Sequence, residues 1–336
     1  MTSVSDREQR ILGIIETARG KRAKFRDERI TMAHGAGGRA TRSLVEGLLA
    51  PAFGIEALDD AAAVGELAIT TDAYVVKPLR FPGGSIGELA VNGTVNDLAM
   101  AGAEPLALTL SLILEEGLDA DTLRAEVEAI AGAASHAGVR IVGGDTKVVE
   151  RGHADGMYIT TTGLGRRDPR AAFEAARPGD RILLSGPIAA HGTAIMLARG
   201  EFDLESDEIV SDTRSLWPAV DAILGPGIRA MRDATRGGVA SVLNELARDS
   251  GVAMLIEEAN IPVAPAVAGA CELLGIDPLY VANEGAFVVL ADRPLGGFTD
   301  IGEVKTEPPG MVLVKTAFGG KRVMDELVGD PLPRIC

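Results

Sequence analysis

The sequence predicts two mixed α+β domains joined near residues 166–179. Three observations predict this. A chain of 336 residues exceeds what one simple core fills. Strand-length apolar runs alternate with helical spacing on both sides of the join. The join itself is charged and carries Pro169 and the turn pair Pro178-Gly179. The expected domains are 31–167 and 168–320, with a leader of unassigned role at 1–30 and a mobile tail at 321–336.

A Gly-rich loop at 34–38 is expected to open a helix over 39–50, followed by a strand over 67–76. A helix (86–102), a strand (106–114), a helix (121–137) and strands at 139–149 and 157–164 complete the first half. Leu123, Val127, Ile130 and Ala134 recur at three- and four-residue spacing and give the 121–137 helix one apolar face. The nearly unbroken apolar run 106–114 fits a strand covered on both faces. Beyond the join a strand at 181–185 precedes helices near 191–199 and 214–224, a strand near 228–232 and a helix over 237–250. A strand (252–257), a helix (264–275) and strands near 286–291, 299–305 and 311–315 follow. Gly329, Pro331 and Pro333 mark the tail, and a short helix is expected around 11–15 in the leader.

Composition narrows the function. Net charge is -15, which opposes nucleic acid and anionic membranes as partners, and aromatics at 4% leave little for stacking on bases. No apolar stretch is long enough to span a membrane, and the basic run from Arg19 to Arg29 lacks the apolar centre of a secretory signal. Two cysteines are too few for a disulfide framework and suit a reducing cytoplasm. Cys271, within an expected helix, reads as a buried inert thiol, whereas Cys336 is the last residue. Gly is enriched, 41 residues in all, against a usual share of about 7%, and gathers in short clusters that let backbone approach a ligand.

Four short acidic motifs punctuate the first half: Asp59-Asp60, Thr70-Thr71-Asp72, Asn96-Asp97 and Gly143-Gly144-Asp145-Thr146-Lys147. Carboxylates gathered at one sheet edge repel unless cations neutralise them, and Mg²⁺ with phosphate oxygens is the natural partner. Each motif taken singly could equally be a cap, a turn or a solvated face. The loop His34-Gly35-Ala36-Gly37-Gly38-Arg39 can cradle an anion on backbone N–H groups, or simply make a tight turn. Gly-Lys-Ser/Thr, GxGxxG after a strand and zinc spacings are absent, which excludes the usual phosphate loop, the dinucleotide fold and a zinc centre.

Phe81-Pro82-Gly83-Gly84, Ile86-Gly87-Glu88-Leu89-Ala90 and Gly93-Thr94-Val95-Asn96-Asp97-Leu98-Ala99-Met100 resemble the hydrogenase maturation family HypE. So do 143–149, Asp233-Ala234-Thr235-Arg236-Gly237-Gly238, 271–275, Val281-Ala282-Asn283-Glu284-Gly285 and the ending Pro333-Arg334-Ile335-Cys336. The resemblance runs over about residues 30–336, with Ala234 standing where the family usually has Pro. The wider superfamily of aminoimidazole ribonucleotide synthetase, selenophosphate synthetase and thiamine-monophosphate kinase shares the acidic motifs but not the terminal cysteine.

The resemblance implies a two-domain aminoimidazole ribonucleotide synthetase-like fold and a homodimer whose N-terminal strands close into a shared β-barrel. It implies the cofactors ATP and Mg²⁺, with His34, Gly37, Gly38, Asn96 and Thr146 on ATP and Asp60, Asp72, Asp97 and Asp145 on metal, Asp59 being less certain. Cys336, Lys147 and Glu284 would be catalytic: the terminal sulfur carries a carboxamide, Lys147 neutralises charge, and Glu284 accepts a proton. The implied activity is ATP-dependent dehydration of that S-carboxamide to a thiocyanate. A HypF carbamoyltransferase would supply the carboxamide, and a HypC–HypD complex would accept the cyanide. Two alternatives stand beside it: a small-molecule kinase or synthetase with Cys336 incidental, and a non-catalytic nucleotide switch.

Overall fold

The central helix of the molecule is buried around nearly its whole circumference. Ile86–Met100 buries every residue except Glu88 and Asp97, its polar Asn92, Thr94 and Asn96 included, so it has neighbours on all sides. The computed structural model describes residues 24–55, 58–200, 206–327 and 334–336. The expected helix around 11–15 and Gly329, Pro331 and Pro333 lie outside the described residues.

In chain order the elements are α1 (Arg39–Leu44), a π-helical turn (Val45–Leu49), α2 (Ala50–Phe53), β1 (Ala62–Val64), β2 (Leu67–Tyr74), β3 (Arg80–Phe81), β4 (Gly84–Ser85) and α3 (Ile86–Met100). Then come β5 (Ala103–Glu115), α4 (Ala120–Ala137), β6 (Arg140–Val149) and β7 (Met157–Arg167). The second half holds β8 (Arg181–Leu184), α5 (Ala190–Ala198), α6 (Trp217–Asp221), β9 (Ile228–Asp233), α7 (Gly238–Asp249) and β10 (Ala253–Glu257). It closes with α8 (Pro265–Leu274), β11 (Phe287–Ala291), β12 (Thr299–Lys305), β13 (Val312–Lys315) and β14 (Lys321–Met324).

Two α+β halves result. The first sheet is five-stranded, β1-β2-β7-β5-β6, antiparallel except for the β5–β6 pair. Helices α3 and α4 pack on one of its faces. The second is seven-stranded, β14-β13-β10-β12-β8-β11-β9, antiparallel except for β10–β13. Its strand β11 is buried throughout. Val288 and Leu290 enter one core cluster, while Phe287, Val289 and Ala291 enter another with Met100, Leu216 and Val220. Period-two alternation thus joins both faces of this sheet to α3 and α6.

Local signals set the ends. Ser85 caps α3 by accepting the Glu88 amide at 3.5 Å. Asp119 accepts the amides of Asp121 and Thr122 at 2.8 and 3.0 Å, and Gly138 ends α4 at φ +70°. The helix expected over 39–50 is divided by the π-helical turn. Lys321–Met324, expected within the mobile tail, instead pairs with β13 as an edge strand. Among the described residues no helix is long and apolar enough to cross a membrane.

Candidate active site

Carboxylates from three levels of the chain meet around α3. Asp72 projects from β2 toward that helix, where its Oδ2 accepts the Thr94 hydroxyl at 3.2 Å and the Tyr74 hydroxyl at 3.4 Å. Asp97, on α3, accepts the Thr70 hydroxyl at 2.7 Å. Asp60 precedes β1, Asp233 ends β9, and Glu284 sits in the turn before β11. Burial, then the neighbouring charges of Asp72, Asp233 and Asp60, push the Asp97 carboxyl well above its ordinary range. Burial raises Asp233 in the same way, with Asp60 and Asp72 adding to it. Burial lifts Asp60 to about 6 despite the opposing charge of Arg232. The cluster therefore gathers more carboxyl groups than its surroundings can compensate in ionised form, which favours retained protons.

Glu284 is held by its backbone. Asp212 accepts the Glu284 and Gly285 amides, both at 3.0 Å. A Cβ at position 285 would run into the Asp212 carbonyl oxygen, so the turn requires Gly. Burial, followed by Asp233 and Asp212, raises the Glu284 carboxyl well above the usual value, and Arg236 opposes that. Arg236 donates to the Gly35 carbonyl at 2.6 Å, and the charge at Cys336 is the largest influence holding its guanidinium protonated. Asp72 and Glu284 act on Arg236 in the same sense.

The chain end is docked, contrary to the expectation of a mobile tail over 321–336. Val75 N–H donates to the Cys336 carbonyl at 3.1 Å, and Lys77 N–H donates to the Arg334 carbonyl at 3.4 Å. Ile335 is buried. Arg334 pairs with Asp155 and donates to the Val75 carbonyl at 3.1 Å. Bonds to the main chain of Val75 and Lys77, just beyond β2, thus fix the terminus, with Arg236 linking it electrostatically to Asp72 and Glu284.

The other sequence-predicted residues divide into those near this cleft and those away from it. The His34–Gly38 loop lies against Arg236: a Cβ on Gly37, at φ +81°, would stand 2.8 Å from the Arg236 Cβ. Three of the loop's amides are already engaged, His34 with the Thr31 carbonyl at 3.0 Å, Ala36 with the Ala33 carbonyl at 3.4 Å and Gly37 with the Thr41 hydroxyl at 2.9 Å. The Arg39 amide just beyond donates to the Leu327 carbonyl at 3.1 Å. Gly38 caps α1, while His34 is buried and bonds Thr31 and Asp27 at 3.0 and 3.2 Å, which gives it a local bracing role. Asn96, expected on phosphate, is a rivet between the halves: its amide donates to the Arg214 and Glu284 carbonyls at 3.0 and 3.4 Å and accepts the Leu216 amide at 2.8 Å. Asp59 pairs with Arg232 at 2.7 Å beside a cavity of about 590 Å³.

Asp145, Thr146 and Lys147 do not join the cluster of their own chain. They stand on β6, the outer edge strand, three strand spacings from β2, or roughly 14 Å. Register sets Asp145 in one row with Ser111, Thr160 and Ala73. Alternation puts that row on the face opposite Asp72. There Lys147 donates to Asp145 at 2.5 Å and the Thr146 amide to the same carboxylate at 2.8 Å, all exposed. Cys271 is buried in α8, where burial pushes its thiol up, as expected of an inert cysteine.

Comparison with known proteins decides the family. Residues 58–167 match the family model described as AIR synthase related protein, N-terminal domain, and residues 177–301 match its C-terminal counterpart. The carbamoyl dehydratase HypE of Rhodobacter capsulatus is 47% identical over 339 residues, covering 93% of this chain and 99% of that protein. The chain belongs to the HypE family of carbamoyl dehydratases. A solved HypE–HypF complex contains a chain of the same fold, with TM-score 0.80 and 43% identity over 84% of this chain and 99% of that one. A solved HypE in complex with ATP matches with TM-score 0.77 and 40% identity over 92% of this chain and all 100% of that one.

Three residues at the centre of the cleft were not singled out by sequence reasoning. Asp233 and Arg236 stand in the Asp233–Gly238 motif, whose close acid and base were the available signal. Tyr74, whose hydroxyl burial and the charges of Asp72 and Asp97 keep protonated, carried none. The arrangement fits a divalent cation. Asp60 Oδ2 is buried without a hydrogen-bond partner, and the carboxyls of Asp60, Asp97 and Asp233 are all raised. Among the described residues no three acidic, His or Cys side chains form a ready-made metal cage.

Proposed function

We propose that this chain dehydrates a carboxamide carried on its own Cys336 to the thiocyanate, using ATP, and so supplies cyanide for the iron of [NiFe]-hydrogenase. The observation that carries the reading is the docked terminus. The charge at Cys336 bears on the same guanidinium, Arg236, as Asp72 and Glu284 do. The chain end thus lies within electrostatic reach of a residue that the acidic cleft also acts on, which supports the reading.

In this reaction the amide oxygen attacks the γ-phosphorus and ADP leaves. Loss of the phosphorylated oxygen as phosphate, with removal of both N–H protons, leaves S–C≡N. We assign the proton acceptor's role to Glu284, whose carboxyl burial and the charges of Asp233 and Asp212 make more basic than an ordinary carboxylate. Arg236 would hold the reacting end of the chain. One or two of Asp60, Asp72 and Asp97 would hold Mg²⁺, which when bound would neutralise charge developing on the phosphoryl oxygens.

The carboxamide would come from a HypF-type carbamoyltransferase, which the solved complex of a family member with HypF supports. A HypC–HypD complex would accept the cyanide. We further propose a homodimer in the cytoplasm. The first sheet leaves Val64, Leu67, Ile69, Leu164, Val142 and Val148 exposed, and β6 is an open edge. A second copy closing the sheets into a barrel would cover both. Asp145, Thr146 and Lys147 would then serve the neighbouring copy's cleft.

Calorimetry of Mg-ATP binding tests the cleft. Asp72→Asn and Asp97→Asn should each weaken it at least about tenfold while the fold persists. Undiminished affinity in both would remove the acidic cluster from the site. Phosphate release that requires the carbamoylated tail distinguishes the reading from a small-molecule kinase or synthetase.

A further inference from the structure

His191 is fully buried on α5, far in sequence from every motif assigned to the reaction, yet it touches the chain end. Its Nε2 lies 2.7 Å from the Ile335 carbonyl, and its Nδ1 lies 2.8 Å from the Ser211 hydroxyl. A carbonyl oxygen only accepts, so Nε2 carries the hydrogen and Nδ1 accepts from Ser211. Ser211 Oγ in turn accepts the Thr213 amide at 3.2 Å. Burial lowers the imidazole's pKa, Asp212 being the charged group that opposes this, so the ring stays neutral and the relay keeps one direction.

The relay is rigidly backed. The Phe81 ring meets the imidazole edge-on at 5.5 Å. Ser211 N–H donates to the Pro82 carbonyl at 2.8 Å, and a Cβ on Gly83 would stand 2.7 Å from the Ser211 nitrogen. Asp212, between Ser211 and Thr213, is the residue that holds the Glu284 and Gly285 amides. One three-residue segment therefore indexes the tail on one side and Glu284 on the other.

We propose that His191, oriented by Ser211, is a positioning residue that latches the penultimate carbonyl of the tail and sets Cys336 in register with Glu284. The role in turnover rests on the dehydratase reading above; the latch itself does not. Arg334 reinforces the latch: its carbonyl accepts the Arg199 guanidinium at 2.6 Å, and its backbone is held in the left-handed region at φ +59°.

The test uses the full-length protein. The rate of Cys336 alkylation by iodoacetamide, read by mass analysis of the terminal peptide, reports docking without any turnover. His191→Ala should raise it about three- to tenfold, the effect of one lost hydrogen bond. His191→Gln, which keeps an N–H near the Nε2 position, should return it to near the wild-type rate. Ser211→Ala, a small change that guards against misfolding of the histidine variant, should raise it too. Single-turnover loss of water from the carbamoylated tail should fall in His191→Ala and recover in His191→Gln, with Mg-ATP affinity unchanged in both. Wild-type alkylation rates in folded His191→Ala and Ser211→Ala would overturn the latch. A tail that never loses water even in the wild type, with the alkylation pattern as expected, would overturn the dehydratase reading and leave the latch standing.

Discussion

Asp212 grips Glu284 by its main chain, not its side chain: the carboxylate accepts the Glu284 and Gly285 amides at 3.0 Å each. The proposed base is thus positioned by a neighbour that never touches the reacting atoms. Asp212→Asn keeps the size but offers one acceptor where two amides need one each. It should lower the rate of water loss from the tail about tenfold or more, with Mg-ATP affinity within about twofold. Single-turnover kinetics beside calorimetry checks it, and an equal loss in both would place Asp212 on the nucleotide instead.

Glu284→Gln separates binding from chemistry. The amide fits the same turn but takes no proton. The variant should bind ATP and accumulate protein bearing the carboxamide, visible as a stalled mass on the terminal peptide. Normal thiocyanate formation would show that another group accepts the proton.

The raised carboxyls make stability depend on pH, and the sign follows from linkage. Asp97, Asp233 and Glu284 keep protons in the folded chain that the unfolded chain has lost, and Glu245 is lifted to about 7. Where the folded state binds more protons, stability falls as pH rises. His191, with its pKa lowered, is neutral in both states above its ordinary value and does not oppose this. Between about pH 6.5 and 8 the melting temperature of the ligand-free protein should therefore decline, and Mg²⁺ with ATP should reduce that decline. Asp97→Asn should flatten it. A melting temperature rising over this interval would mean the cluster is not the uncompensated acid described.

Much of the fold was legible because period and punctuation agree: β2, α3, α4, β7 and the strands β8 to β13 of the second sheet fall near their expected ranges. The strands β1 and β14, three and four residues long, carry too short a period to register. The site was legible as residue types, not as geometry. Asp60, Asp72, Asp97 and Glu284 meet as their motifs suggested. Asn96 fits the same pattern, yet buried carbonyls of the second domain claim its amide, and nothing local in the sequence marks that. Asp145 is removed from its own cleft by strand order and face, both long-range properties. The docked tail is held through its carbonyls by Val75, Lys77, Arg199 and His191, partners far away in sequence.

Homodimerisation should show in light scattering as twice the chain mass of 34.9 kDa. Sharing of sites should show by complementation. Lys147→Met and Glu284→Gln, each inactive alone, would after exchange place one intact site in each mixed dimer. Activity should return to about a quarter of wild type. No recovery despite proven exchange would place Lys147 and Glu284 in the same chain's site, and full activity of Lys147→Met alone would place Lys147 in neither.

Mass analysis of the C-terminal peptide after incubation with a carbamoyl donor and ATP tests the central claim most directly. Cys336 should first gain one carboxamide and then, only with ATP, lose one water. Cys336→Ala should fold and bind Mg-ATP normally yet acquire neither change, and Cys271→Ala should label as wild type. Modification at another residue, or full activity in Cys336→Ala, would contradict the account.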